Sequence, residues 1–171
     1  LEITRGSIMI DGIELAQLSK TWYRDQIAFS PQEPKFIDGS IKDNLIGSNE
    51  IKEIDFKNIL LEVDLINYIN SREKGLNTLL EDRGETLPVG IRKRMSLARA
   101  MVNRSQLIIL DEPTEGLDIT GKEKVKNLIN NEKQKKKTII IATNDQEIIN
   151  LSHIIVDMNS KPKPNIARVK K

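Results

Sequence analysis

Leu107-Ile108-Ile109-Leu110-Asp111-Glu112-Pro113-Thr114-Glu115-Gly116-Leu117-Asp118 is the stretch that decides the fold. Four aliphatic residues run straight into two adjacent carboxylates, and a proline follows at once. A short continuous apolar run reads as a strand buried on both faces, as in a parallel sheet. Pro113 has no N–H to give to a sheet ladder, so the strand is expected to end beside it. Asp111 and Glu112 then stand at the carboxyl end of a buried strand, where open α/β sheets place their ligands.

Outward from this strand, other elements follow the same grammar. Gln26 to Ser30 reads as a second buried strand, stopped by the prolines of Pro31-Gln32-Glu33-Pro34. Thr138 to Ala142 reads as a third strand, and Ile154 to Met158 as a last one. Residues 7–10 form a short strand that ends at the Asp11-Gly12 turn. Helical patterns cover 15–25, 41–46 (with Ser40 as cap), 90–102, 122–136 and 145–151. Across 51–70, apolar residues recur at three- and four-residue spacing, which predicts one long helix. On the helix over 90–102, Ile91, Met95, Ala98, Met101 and Val102 share one face, and Arg92, Lys93, Arg94 and Arg99 occupy the other sides. Strands alternating with helices imply an α/β fold with a mainly parallel sheet and flanking helices, interrupted by a helical insertion. The divisions expected are a core over 1–37, a helical subdomain over 38–95, the rest of the core over 96–159, and a flexible basic tail over 160–171.

The totals narrow the function classes. Among 171 residues, 27 Lys and Arg stand against 25 Asp and Glu, for a net charge of +2. That balance gives no argument for nucleic acid or for a membrane surface. There is no cysteine, so neither a disulfide framework nor a thiolate metal site is expected. The single histidine, His153, excludes multi-histidine sites and reads as a strand-edge surface residue. No run of roughly 18 apolar residues occurs, so no membrane-crossing helix is expected.

Several segments now fall into a known order. Pro31-Gln32 precedes Phe36-Ile37-Asp38-Gly39-Ser40-Ile41-Lys42-Asp43-Asn44. Thr78 to Leu87 precedes Pro88-Val89-Gly90-Ile91-Arg92-Lys93-Arg94-Met95-Ser96-Leu97-Ala98-Arg99-Ala100. Leu110-Asp111-Glu112-Pro113-Thr114, Gly116-Leu117-Asp118 and Ala142-Thr143-Asn144-Asp145 follow. This order resembles the nucleotide-binding domain of ATP-binding cassette (ABC) transporters, of the P-loop NTPase-like class. Gly39 and Glu81-Asp82-Arg83-Gly84 resemble the exporter branch, bacterial peptide and protein exporters in particular.

The resemblance implies ATP hydrolysis by an in-line water, with magnesium neutralising phosphate charge. It makes Asp111 the magnesium-holding Walker B aspartate and Glu112 the residue that polarises the water. Gln32 matches the glutamine that touches magnesium and water and senses the γ-phosphate. Asp118 matches the loop that crosses the dimer contact, and it also suits the cap of the helix near 120. Leu87, Pro88, Val89 and Gly90 stand where the family usually has the signature Leu-Ser-Gly-Gly-Gln, facing ATP bound by the partner domain. Pro88 brings neither hydroxyl nor N–H, so that phosphate contact is altered. Asn144 stands at the switch position, where the family usually carries histidine. Asparagine can donate to phosphate but carries no charge.

No Gly-x-x-x-x-Gly-Lys-[Ser/Thr] loop occurs in the chain. By the resemblance it belongs just upstream of Leu1, on an internal strand, together with an adenine-stacking aromatic. The fold is therefore expected to be incomplete at the N-terminus, and the 171 residues alone are expected to bind ATP very weakly. The implied partners are a second nucleotide-binding domain and a transmembrane permease domain, and no nucleic acid. The implied location is the cytoplasmic side of the plasma (inner) membrane. Two other readings stay open: a degenerate cassette with a structural or regulatory role, and a non-transport ABC ATPase.

Overall fold

The computed structural model describes residues 5–169. Its centre is a parallel sheet in the order β3 (Ile27–Ser30), β4 (Leu107–Asp111), β5 (Thr138–Ala142). Ile27 pairs with Leu107 and Leu107 with Thr138, and the register runs on to Asp111 opposite Ala142. The two crossovers carry helices, as parallel neighbours require. Side chains alternate across the pleat. Ala28, Ser30, Ile108 and Leu110 are buried on one face. Phe29 and Ile140, on the other, are 53% and 54% exposed. The expectation of strands buried on both faces is therefore corrected: helices α5 (Val89–Val102) and α6 (Ile119–Gln134) pack against β3 and β5, and they cover one face only.

Helix α5 (Val89–Val102) forms the floor of that covered face. Met95, Leu97, Ala98, Ala100, Met101 and Val102 are all buried. Ser96 and Ser30 are fully buried and satisfy each other through a 2.9 Å hydroxyl contact, which fixes α5 against β3. At the helix end, Asn103 Nδ2 donates to the Ile27 carbonyl at 3.2 Å, and Ser105 Oγ donates to that of Asp25. The division drawn after residue 95 falls inside this continuous helix.

The helical block before α5 holds α2 (Ile41–Ile46), α3 (Glu53–Glu62) and α4 (Ile66–Asn70). Ser40 caps α2 in a full capping box: its hydroxyl accepts from Asp43 N, and Asp43 Oδ2 accepts from Ser40 N. The single helix expected over 51–70 is two helices. Leu65 N bonds the Leu60 carbonyl and Asp64 N bonds that of Leu61, the six-to-one and five-to-two pattern that ends a helix. Asp64 takes the left-handed position at φ 58°. Buried Leu65 and Leu60 supply the apolar contact that accompanies this ending.

The remaining elements frame the sheet. The short strands β1 (Met9–Ile10) and β2 (Ile13–Glu14) form a hairpin about Asp11-Gly12, both at positive φ, as a type I′ turn requires. Helix α1 spans Lys20–Asp25, and the residues before it, Leu15–Gln17, form a separate 310 turn. Helix α6 (Ile119–Gln134) buries Val125, Leu128 and Ile129. Helix α7 (Gln146–Ile149) is capped by Asp145. Strand β6 (Ile154–Asp157) does not join the central sheet; it pairs antiparallel with β7 (Asn165–Arg168). A frayed tail from residue 160 is thus corrected for 165–168. Pro162 and Pro164 precede this segment, so its own N–H groups are free to complete the ladder.

Candidate active site

The site grows from the carboxyl end of β4. Asp111 ends the strand, and Glu112 turns the chain out of the sheet at φ 41° while its N–H still donates to the Ala142 carbonyl at 2.9 Å. A left-handed glutamate is strained, and such strain persists where the surroundings hold it. Here Pro113 is fully buried just beyond it. The Glu112 carboxylate is aimed across to the end of β5. Oε1 accepts from the Asn144 main-chain N–H at 3.1 Å and from Asn144 Nδ2 at 3.0 Å, and Oε2 accepts from Thr143 Oγ1 at 3.1 Å. Thr143 Oγ1 in turn accepts from Asp145 N. Glu112 and Asn144 are therefore brought together.

Asp111 differs from its neighbour. Its carboxylate accepts no hydrogen bond and forms no salt bridge among the described residues, which leaves its oxygens free for an outside cation. Gln32 lies against the loop that follows Glu112: its Nε2 donates to Glu115 Oε2 at 3.0 Å. From below, Lys93 Nζ donates to the Gln32 carbonyl at 2.8 Å.

Lys93 and Glu115 are the residues that the sequence reading missed. Lys93 is only 2% exposed, not on a solvated side of its helix. Burial pushes its ammonium below the usual lysine range, while Glu115, Asp111 and Glu112 pull it back toward the charged form. A signal was present: Lys93 precedes Ser96, Leu97 and Ala100 by three, four and seven residues, the spacing of one helix face.

The segment from Leu87 to Gly90 and Asp118 form a second group. Pro88 is the N-cap of α5 and makes no side-chain cap; its carbonyl accepts from Ile91 N and Arg92 N. Val89 packs on Gly116 so closely that a Cβ there would fall 2.7 Å from Val89 Cγ1. Gly90 faces Leu117. Asp118 Oδ1 accepts from Gly121 N at 2.8 Å and caps α6, while Arg94 joins it to Asp64. No hydrogen bond links this group to Asp111 or Glu112 among the described residues. His153 is exposed beside β6, as expected of a strand-edge residue. An open groove of about 560 Å3, lined by Asp38, Asp82, Arg83, Glu85 and Thr86, contains none of the expected site residues.

The donors present suit magnesium bound with a nucleotide. Among the described residues no group of three or more acidic or histidine side chains forms a ready cage. Magnesium commonly binds through one or two carboxylates, with phosphate and water completing its octahedron. One free carboxylate at a strand end, with an amide nearby, fits that mode.

A family model described as ABC transporter matches residues 1–115, and the chain belongs to that family. Its relatives include "ABC transporter B family member 1" of Dictyostelium discoideum, 34% identical over 154 residues, covering 88% of this chain and 17% of the relative. The β-(1→2)glucan export ATP-binding/permease protein NdvA of Agrobacterium vitis is 32% identical over 142 residues, covering 82% and 24%. The ATP-dependent lipid A-core flippase of Desulfotalea psychrophila is 29% identical over 162 residues, covering 94% and 28%. A solved bacterial Atm1-family ABC exporter with ATP bound superposes with a TM-score of 0.82 over 90% of this chain and 27% of that one, at 21% identity, which establishes the fold. The chain thus spans between 17% and 28% of these proteins' length. Among the described residues no helix is long and apolar enough to cross a membrane.

Proposed function

We propose that this chain is part of the ATP-binding and ATP-hydrolysing domain that powers a membrane exporter. One observation carries the reading: a free Asp111 stands beside a Glu112 held by Thr143 and Asn144, all at the carboxyl ends of adjacent parallel strands. Glu112 orients and polarises the attacking water. Thr143 and Asn144 fix its carboxylate, so its geometry is set before substrate arrives. Asp111 would hold magnesium, and the Gln32 amide oxygen would serve the same ion and the attacking water. Magnesium, when bound, neutralises phosphate charge.

Leu87, Pro88, Val89 and Gly90 face ATP held by a second nucleotide-binding domain, and Asp118 lies at the contact between the two. The helical block over 38–95 is a subdomain set into a core made of 1–37 and 96–159. The further partner is a transmembrane permease domain, which places this domain on the cytoplasmic side of the membrane.

The test is magnesium-dependent phosphate release by a chain extended upstream to carry the phosphate-binding loop. Release that falls at least a hundredfold in Glu112→Gln is expected, in line with general-base loss. Release unaffected by that change overturns the assignment. A second reading, a cassette that binds a partner without efficient turnover, is favoured by Pro88, whose N-cap position lacks both hydroxyl and N–H. Under that reading the extended chain binds nucleotide but releases no phosphate above background.

A further inference from the structure

Among the described residues Lys93 is the one buried cation that acts on the acid loop without forming a salt bridge to it. Its ammonium has three donors. One goes to the Gln32 carbonyl, and the other two have no hydrogen-bond partner among the described residues. Burying a charge so sparsely bonded costs stability, and an apolar residue of similar volume is often neutral or better in such a place. Packing alone therefore gives no reason for lysine. The electrostatic surroundings do: Glu115, Asp111 and Glu112 all act on this ammonium.

We propose that Lys93 is a positioning residue that ties the Gln32 main chain to α5 and sets, by its fixed positive charge under the acids, how tightly the site holds a divalent cation. The inference rests on the reading of Asp111 as the metal-holding residue. A buried positive charge on which Asp111 acts partly neutralises that carboxylate in return and repels a second cation through a medium of reduced dielectric. The site then keeps metal weakly by itself and strongly only when phosphate brings further negative charge. Lys93 thus couples metal capture to nucleotide arrival, and its bond to Gln32 keeps that loop in register with the acids.

Two arms test this. In the first, manganese binding to the 171-residue chain is read from the loss of the free-ion electron paramagnetic resonance signal. Lys93→Gln and Lys93→Met are expected to bind manganese about tenfold more tightly than the parent, with unchanged circular dichroism and no loss of thermal stability. Adding Asp111→Asn removes the gain. In the second, nucleotide affinity of the upstream-extended chain is compared with magnesium and with chelator. The ratio of the two affinities falls severalfold in both Lys93 variants, because they hold metal tightly without nucleotide.

Manganese affinity unchanged in well-folded Lys93→Gln and Lys93→Met overturns the proposal. So does a gain that survives Asp111→Asn, because the charge then acts elsewhere. If the extended parent binds no nucleotide, the nucleotide-site reading fails, and the manganese arm still decides the role of Lys93.

Discussion

Glu112 and Asn144 are joined directly at the proposed site. Among the described residues the Glu112 carboxylate accepts three hydrogen bonds, and Asn144 gives two of them, one from the main chain and one from Nδ2. Asn144→Ala removes the side-chain bond and keeps the main-chain one. It is expected to lower kcat about tenfold with KM changed by less than twofold, measured as phosphate release from the upstream-extended chain; equal losses in kcat and in affinity contradict an orienting role. Pro88 makes the opposite prediction. Pro88→Ser supplies an N-cap hydroxyl and an N–H at the start of α5. Phosphate release is expected to rise severalfold, and an unchanged or lower rate shows that this position does not limit turnover. Gly116 is fixed by sterics. Its φ of 72° and the 2.7 Å approach of Val89 leave no room for a side chain. Gly116→Ala is expected to cost about 1–3 kcal/mol in urea unfolding.

The elements were legible to different degrees, for reasons that named residues explain. The runs at 27–30, 107–111 and 138–142 are short and aliphatic, and they pair in parallel as their composition implies. Ser40 announced its helix, and both halves of its capping box are formed. Ser40→Ala is expected to lower stability by about 1 kcal/mol, read from the urea midpoint at unchanged slope. The break between α3 and α4 was hidden because the left-handed residue is Asp64 rather than glycine. Arg94 holds that aspartate at 2.8 Å, a long-range contact that local periodicity does not carry. The β6–β7 pair was missed because the prolines and lysines before Asn165 resemble a loose tail. At the candidate site, Asp111, Glu112, Gln32 and Asn144 were singled out by motif order, and the structure joins Glu112 to Asn144 directly. Lys93 and Glu115 were not, because their contacts with Gln32 join segments far apart in the sequence. Gln32 and Lys93 stand on segments 61 residues apart.

Across the whole molecule, one sheet carries the acids on its carboxyl edge and helices lock that edge from one side. The buried carboxylate of Glu132 ties α6 to the start of β5 through two ion pairs, to Lys135 and Lys137, each at 2.7 Å. Burial would raise the Glu132 carboxyl, but the hydrogen bond from Lys135 and the ion pair with Lys137 outweigh it and hold the group below its ordinary 4.5. A depressed carboxylate contributes stability that is full above 4.5 and is lost as pH falls through the folded value. The parent chain is therefore expected to be more stable than Glu132→Gln at pH 7, and the gap narrows below pH 4.5 in urea unfolding. A gap independent of pH contradicts the ion-pair account. The central claim is that Asp111 and Glu112 form the metal-and-water half of an ATP site shared between two such domains. Size-exclusion chromatography of the upstream-extended Glu112→Gln chain with magnesium and ATP tests it most directly. The account predicts a nucleotide-bound dimer that persists because hydrolysis is blocked, and a chain that stays monomeric under those conditions would contradict it.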